Sequence, residues 1–253
     1  MEIVSGRTGK PHVTSQQFRQ IIEGIIGDDS CILPSGENLE PELVSNNSLK
    51  IRSGMMCHHG NVSSVKIGTY DEVELTNGSQ GMKRIDLIVN RYTRNEEDNT
   101  EKNEWVVIMG TPAESNPVVP EYTQGDLQKG DLVDDCPAFE VHLDGINIVE
   151  VTKKLEIATT NKELAAKLPV YGTTALIETS ANSYKDTTVK FGKTFSKAPF
   201  VLLTLSGGSQ NTKTFAVQVK DVSTTGMTIR TVNGYSSSVS MFINWCAFPK
   251  GAK

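Results

Sequence analysis

The side chains with the widest chemical range in this 253-residue chain are four histidines and four cysteines. They cluster at one place only, Cys57-His58-His59. On a strand, Cys57 and His59 share one face and His58 takes the other. That pair could join His12, or symmetry-related copies, around zinc or iron. No third and fourth ligand follows at metal-site spacing, so the expectation is no metal here and a polar, partly buried strand instead. Cys31, Cys57, Cys136 and Cys246 lie far apart and form no CxxC pair. This argues against a zinc ribbon or a disulfide framework and leaves buried free thiols.

Nothing in the chain supports nucleophilic catalysis. There is no GxSxG, no HExxH and no Walker loop. Ser206-Gly207-Gly208-Ser209 is a Gly-rich turn without the Lys-Ser/Thr and helix of a phosphate cradle. A polymer-cleaving enzyme needs clustered carboxylates, and the second half has only Glu156, Glu163, Glu178, Asp186 and Asp221, far apart. A non-enzyme without a cofactor is expected. The sequons at Asn46, Asn61 and Asn77 are read as chance.

Binding chemistry is better represented. Sugar recognition combines hydrogen-bonding groups with an aromatic platform. Arg230, Asn233 and Tyr235 end one strand and start its turn, Asn211 and Lys213 lie in another turn, and Asn244 and Trp245 lie in the last strand. The candidate ligand-binding set is Asn211, Lys213, Arg230, Asn233, Tyr235 and Trp245. The competing reading keeps Trp245 in the core. Nucleic acid is not expected as a partner, because the lysines of the second half are scattered singly without interleaved aromatics.

Charge separates the halves. Residues 1–150 carry 12 Lys and Arg against 25 Asp and Glu, a net of −13, and residues 151–253 carry 13 against 5, a net of +8. Such asymmetry suggests different partners, an anionic one for the basic half. The alternative is that these lysines keep a β-domain soluble and blunt its edges. No apolar run reaches the ~18–20 residues that span a bilayer, so no membrane insertion is expected. The first residues, MEIVSGRTGKPH, lack a signal pattern, which predicts synthesis and retention in the cytoplasm until something else moves the protein.

These side chains need elements to hold them. Thr14 and Gln17 stand at capping-box spacing, and Phe18, Ile21, Ile22 and Ile25 recur on one face up to Gly27, which predicts a helix whose stripe is buried against its own domain or a sister subunit. From Ser30 to Asp144 the period is two. Arg84–Tyr92 and Glu104–Met109 read as a hairpin with a long solvated tip, and Asp144-Gly145 as the turn of another. Gly110–Pro120, with three prolines, reads as a stiff surface segment. From Tyr171 onward about six strands suggest a compact β-sandwich.

Val151–Tyr171 joins the two halves. Ile157, Asn161, Leu164 and Leu168 have the spacing of a coiled-coil seam, Thr160 and Glu163 form a capping box, and Pro169 ends the helix. The stripe must pack on a neighbouring domain or on sister chains around a symmetry axis. The chain is therefore expected to be mainly β: an N-terminal β domain with one short helix (1–150), a helical linker (151–171) and a C-terminal antiparallel β-sandwich (172–253).

Several stretches carry a resemblance. SGRTGKPHVTSQQ, ELVSNNSLKIRSGMM, RIDLIVNRY and GTPAESNPVVP, in that order over about residues 1–150, resemble N-terminal domains of baseplate and receptor-binding proteins. Those belong to tailed phages of Gram-positive bacteria and to phage-tail-like particles. FGKTFSKAPFVLLTLSG, STTGMTIRTVN and VSMFINWCAF, over about 172–250, resemble the small β-sandwich of H-type lectins and of phage tail-fibre tips. The resemblance implies a tail-docked N-terminal module, a trimeric stalk, and a trimeric head that binds a host-surface glycan or anionic wall polymer. The partners implied are two sister chains and other tail or baseplate proteins, in a virion assembled in the host cytoplasm. The rival implication is a structural connector whose head serves trimerisation.

Overall fold

The computed structural model describes residue 4, residues 13–207 and residues 215–251. The chain divides into two compact units, Met1–Ala158 and Thr159–Lys253, each with its own apolar core. Among the described residues it is mainly β, with two short helices.

The first unit holds helix α1 (Ser15–Ile26) and nine strands: β1 (Cys31–Leu33), β2 (Pro41–Ser45), β3 (Ser48–His58), β4 (Asn61–Glu74), β5 (Lys83–Arg94), β6 (Glu101–Ile108), β7 (Val133–Asp144), β8 (Asn147–Lys153) and β9 (Glu156–Ile157). β3 is the spine of one sheet. β4 runs along one of its edges, while β2 and β1 share the other, and β9 adds to β1 in parallel. The second sheet runs β6-β5-β7-β8. Leu49, Ile51, Met56, Val65 and Val73 of the first sheet join Ile88, Phe139, Val141 and Leu143 of the second in one core.

β5 is paired on both edges and buried along most of its length. Its buried charges are therefore paired with each other. Arg84 donates from Nε to Asp86 Oδ1 at 2.8 Å and from Nη2 to Oδ2 at 2.9 Å, and the Gly110 N–H also donates to Asp86. A buried charge is tolerated on these terms. The β5–β6 tip is shorter than its polar sequence suggested. Cross-strand pairing of Thr93 with Lys102 and of Arg94 with Glu101 draws charged residues into the ladder.

Helix α1 starts at the predicted capping box, with Thr14 and Gln17 bonded reciprocally. Its apolar stripe does not pack against its own domain, the first of the two expected partners. Phe18, Ile21 and Ile25 are exposed within this chain, and the buried residue is Arg19. Arg19 donates to Glu101 at 3.2 Å, and its guanidinium lies 5.5 Å from the Tyr92 ring centroid. This ion pair and ring contact orient the helix and leave the stripe outside.

Two turns also differ from the sequence reading. Asp144 pairs with Asn147, so the β7–β8 turn is Gly145-Ile146, with Gly145 at φ +62°. A glycine at the first turn position suits a two-residue hairpin. His58 pairs with Asn61, which makes His59-Gly60 the β3–β4 turn, at φ +47° and +72°. His59 thus leaves the strand. Cys57 and His59 do not share a strand face, because the alternation stops at His58. Cys31, Cys57 and Cys136 are buried thiols.

The joint between the halves is not a coiled-coil stalk. Val151–Lys153 ends β8, and Ile157 sits in β9 opposite Ile32. The Ala158 N–H donates to the Ile32 carbonyl, so this segment belongs to the first unit. Helix α2 (Asn161–Lys167) begins at the Thr160–Glu163 capping box and lasts seven residues. Leu168 is extended, as the residue before a proline tends to be. Ile157, Asn161, Leu164 and Leu168 therefore form no continuous helical seam. Ile157, Leu164 and Leu168 are exposed within this chain.

After α2 the second unit contains β10 (Val170–Thr173), β11 (Ile177–Thr179), β12 (Ser183–Lys190), β13 (Phe200–Ser206), β14 (Phe215–Val222), β15 (Gly226–Asn233) and β16 (Val239–Phe248). Lys193 Nζ donates to the carbonyls of Ala165, Ala166 and Leu168, closing the end of α2. A lysine there satisfies carbonyls that the helix leaves unpaired. β12-β15-β14 form one antiparallel sheet. β16 is the centre of the other, with β13 on one edge and β10 followed by β11 on the other. Ile229, Met227, Ile243, Met241, Phe191 and Trp245 share the core.

Candidate functional site

Strand parity decides what the second unit offers to a ligand. In β15, Ile229, Thr231 and Asn233 point inward, and Arg230 and Val232 point outward. The register sets Arg230 opposite Asp186 of β12 and Gln218 of β14, on the outer face of the three-stranded sheet. Arg230 holds Asp186 with a two-bond fork, Nε to Oδ1 at 2.7 Å and Nη2 to Oδ2 at 2.9 Å. Lys220 donates to Asp186 Oδ2 at 2.9 Å. The Arg230 guanidinium lies 4.2 Å from the centroid of the Tyr184 ring, itself exposed.

The electrostatics follow from these contacts. Hydrogen bonds from Arg230, then Lys220, hold the Asp186 carboxyl far below the usual carboxylate range. The same bonds, which Arg230 donates to Asp186, raise Arg230. Asp186 and Arg230 therefore stay charged across the ordinary pH range. The cluster presents an aromatic ring, a flat guanidinium, an ammonium and a carboxylate with spare acceptor capacity on one face. An aromatic–cation pair supplies an apolar platform, and charge-assisted donors add strength and direction. This combination suits polyhydroxylated or anionic ligands.

The other predicted residues divide. Asn233 is 1% exposed, and its polar atoms are committed. Its amide donates to the carbonyls of Thr179, Ser180 and Ser237 at 3.0, 3.1 and 2.8 Å, while its Oδ1 accepts from the Tyr235 N–H at 2.9 Å. It ties a chain corner and leaves no group for a ligand. Trp245, 8% exposed, is also core. It packs on Phe191 at 5.6 Å between ring centroids, and Gly172 lies under it so closely that a Cβ would come within 2.7 Å of the indole. Tyr235 is exposed in the turn after β15. Asn244 is half-buried and accepts from the Thr173 hydroxyl. Asn211 and Lys213 lie outside the described residues.

Sequence reasoning missed Tyr184, Asp186 and Lys220. The signal for Tyr184 and Asp186 was the alternation of Ser183–Lys190, which places both on one face, but it named no partner strand and so did not reach Lys220 of β14. The outer face of the other sheet differs in character. Tyr171, Phe200, Leu202 and Phe248 are exposed on β10, β13 and β16 and form an apolar set.

Comparison with known families finds the H-type lectin domain at residues 186–248. The match begins at Asp186 and covers β14, β15 and β16, so the second unit is lectin-like. Recombinant discoidin II of Dictyostelium discoideum is similar at 8% identity, over 79% of this chain and 83% of that one, with a TM-score of 0.30, a likeness that carries no weight for the fold. No curated protein matches the chain.

Proposed function

We propose that the second unit is a carbohydrate-binding head and that the face built by Tyr184, Asp186, Lys220 and Arg230 contacts the sugar. The H-type lectin match over residues 186–248 carries this reading. The cluster offers the platform and the directed donors that sugar hydroxyls require. The basic second half suits an anionic glycan or wall polymer. The activity is binding without turnover, as in other lectin-like modules.

The biological setting we propose is a phage tail or baseplate of the kind that attacks Gram-positive bacteria. In it the first unit docks to other tail proteins and the head touches the host. The order of motifs over residues 1–150 supports this. A homotrimer is part of the proposal, supported by apolar sets exposed within one chain: Phe18, Ile21 and Ile25 on α1, and Tyr171, Phe200, Leu202 and Phe248 on the second unit. Three linked sites raise the effective concentration and compensate for a weak single site.

The deciding experiment measures binding of the full chain and of Arg230→Ala to Gram-positive cells, purified wall polymers and a glycan array, with molar mass from light scattering. Binding by the wild type that Arg230→Ala weakens supports the adhesin. A trimer that binds no glycan and no wall polymer sinks it. The apolar face of the second sheet would then favour the alternative, a connector whose head serves assembly.

A further inference from the structure

Away from the lectin-like unit, three side chains converge in the first unit. His58 ends β3, and His59 occupies the first position of the β3–β4 turn. The turn needs positive φ at both central residues, and Asn-Gly is the usual choice. Here the pair is His59-Gly60. Gly60 has no alternative, because a Cβ on it would come within 2.4 Å of the Arg19 carbonyl oxygen. The left-handed backbone at His59 folds its ring back on His58, with centroids 3.9 Å apart. Two adjacent residues thereby place both imidazoles on the same side.

Both rings reach Asp134, which enters from β7 of the other sheet and is buried. His59 Nδ1 is 2.8 Å from Asp134 Oδ2, and His58 Nε2 is 3.0 Å from the same oxygen. The three candidate ligand atoms lie within 4.8 Å of one another. The His58 side chain is 10% exposed. Its Nε2 is buried and pairs with the Asp134 carboxylate at 3.0 Å, without a well-aligned hydrogen bond among the described residues. One buried carboxylate oxygen thus serves two imidazole nitrogens, an arrangement that a shared cation also satisfies.

The surroundings have the form of an outer ligand shell. Ser30 Oγ is 2.5 Å from His58 Nδ1, on the far side of the ring from Asp134. The Gly125 N–H donates to Asp134 Oδ1 at 2.8 Å, leaving Oδ2 to the histidines. A metal-binding histidine usually has its other nitrogen fixed in this way. With metal–ligand bonds of about 2.0–2.2 Å, neighbouring ligands of a tetrahedral ion sit roughly 3.3 Å apart. The two nitrogen–oxygen separations, 3.0 and 2.8 Å, need open by only a few tenths of an ångström.

We propose that His58 Nε2, His59 Nδ1 and Asp134 Oδ2 bind one divalent transition ion of the zinc class, which pins the β3–β4 turn to β7 and so cross-braces the two sheets of the first unit. Ser30 and Gly125 orient the ligands. The His59 side, partly open to solvent, supplies the entry path and room for water to complete the coordination. Imidazole and carboxylate ligands together suit Zn²⁺ and Co²⁺ over Mg²⁺ or Ca²⁺.

The test uses the full chain without an added histidine tag, stripped with chelator and titrated with Co²⁺ and Zn²⁺. Visible Co²⁺ bands and calorimetry report the binding, and thermal unfolding reports the brace. His59→Asn removes a ligand and keeps a residue that favours the left-handed turn, and Asp134→Asn removes the carboxylate. The expectation is one ion per chain for the wild type and a raised unfolding temperature with Zn²⁺. His59→Asn should lower affinity by at least the roughly 10- to 100-fold that loss of an outer-shell partner costs, while its metal-free form unfolds near the metal-free wild type. Absence of Co²⁺ and Zn²⁺ binding to the wild type overturns the proposal. So does binding that His59→Asn leaves unchanged, which would place the ion elsewhere.

Discussion

Arg230 and Asp186 form a two-bond fork on the open face of a sheet, at 2.7 and 2.9 Å, with Tyr184 stacked beneath the guanidinium. A pair on an exposed face contributes little to stability. In the proposed head its value lies in fixing a charged, planar group where the sugar would sit. Arg230→Ala and Tyr184→Ala should each weaken glycan or wall-polymer binding by about 10- to 100-fold, the scale of one charge-assisted hydrogen bond or a stacking contact. The unfolding midpoint should move little. Titration calorimetry beside a thermal melt separates the two effects.

The same pair sets an acid limit. The Asp186 carboxyl is held below its ordinary value in the folded chain. Its contribution is therefore complete above the ordinary carboxylate range and is lost as pH falls through the lowered value. Binding through this face should stay level from pH 7 down to about pH 4, where free carboxylates titrate. The check is a pH series with an uncharged glycan. An early decline near pH 6 would point to histidine and away from this cluster.

Trp245 and Asn233 should behave as structural residues. Trp245→Ala empties the core beside Phe191 and Gly172 and should cost the second unit about 3–5 kcal/mol. Asn233→Ala strips the donor from three carbonyls and should cost about 1–3 kcal/mol. Urea unfolding followed by circular dichroism reads both. In native conditions the remaining folded fraction should bind ligand as the wild type does. A stable Trp245→Ala variant that no longer binds would move Trp245 into the site.

The thiols should differ in reactivity. Burial pushes Cys136 up to about 12 and Cys57 up to about 11, and burial also raises Cys31. All three stay protonated at neutral pH, and the thiolate is the reactive form. Cys246, on the outer side of β16, is only partly buried. In a timed assay with a disulfide reagent, Cys246 should react first and the other three only on unfolding. A Cys246→Ser variant should then be nearly silent while native.

The sequence by itself determined the local features. Thr14 with Gln17 and Thr160 with Glu163 start the two helices where the capping boxes predict, because a cap uses groups only three residues apart. Alternation located most strands, and a β-rich second half was legible from Tyr171 onward. Long-range pairing was not. Sequence gives a strand two faces, but when both carry polar and apolar groups it does not say which is inside. Parity relative to the core buried Trp245 and Asn233 and turned Arg230 outward. Register brought Asp186 to Arg230 across 44 residues of chain. The Arg19 contact with Glu101, 82 residues away, turned the α1 stripe outward, and a two-residue turn folded His59 onto His58 toward Asp134. Each outcome depends on which distant backbone supplies the partner, and that is decided only when the sheets pair and pack.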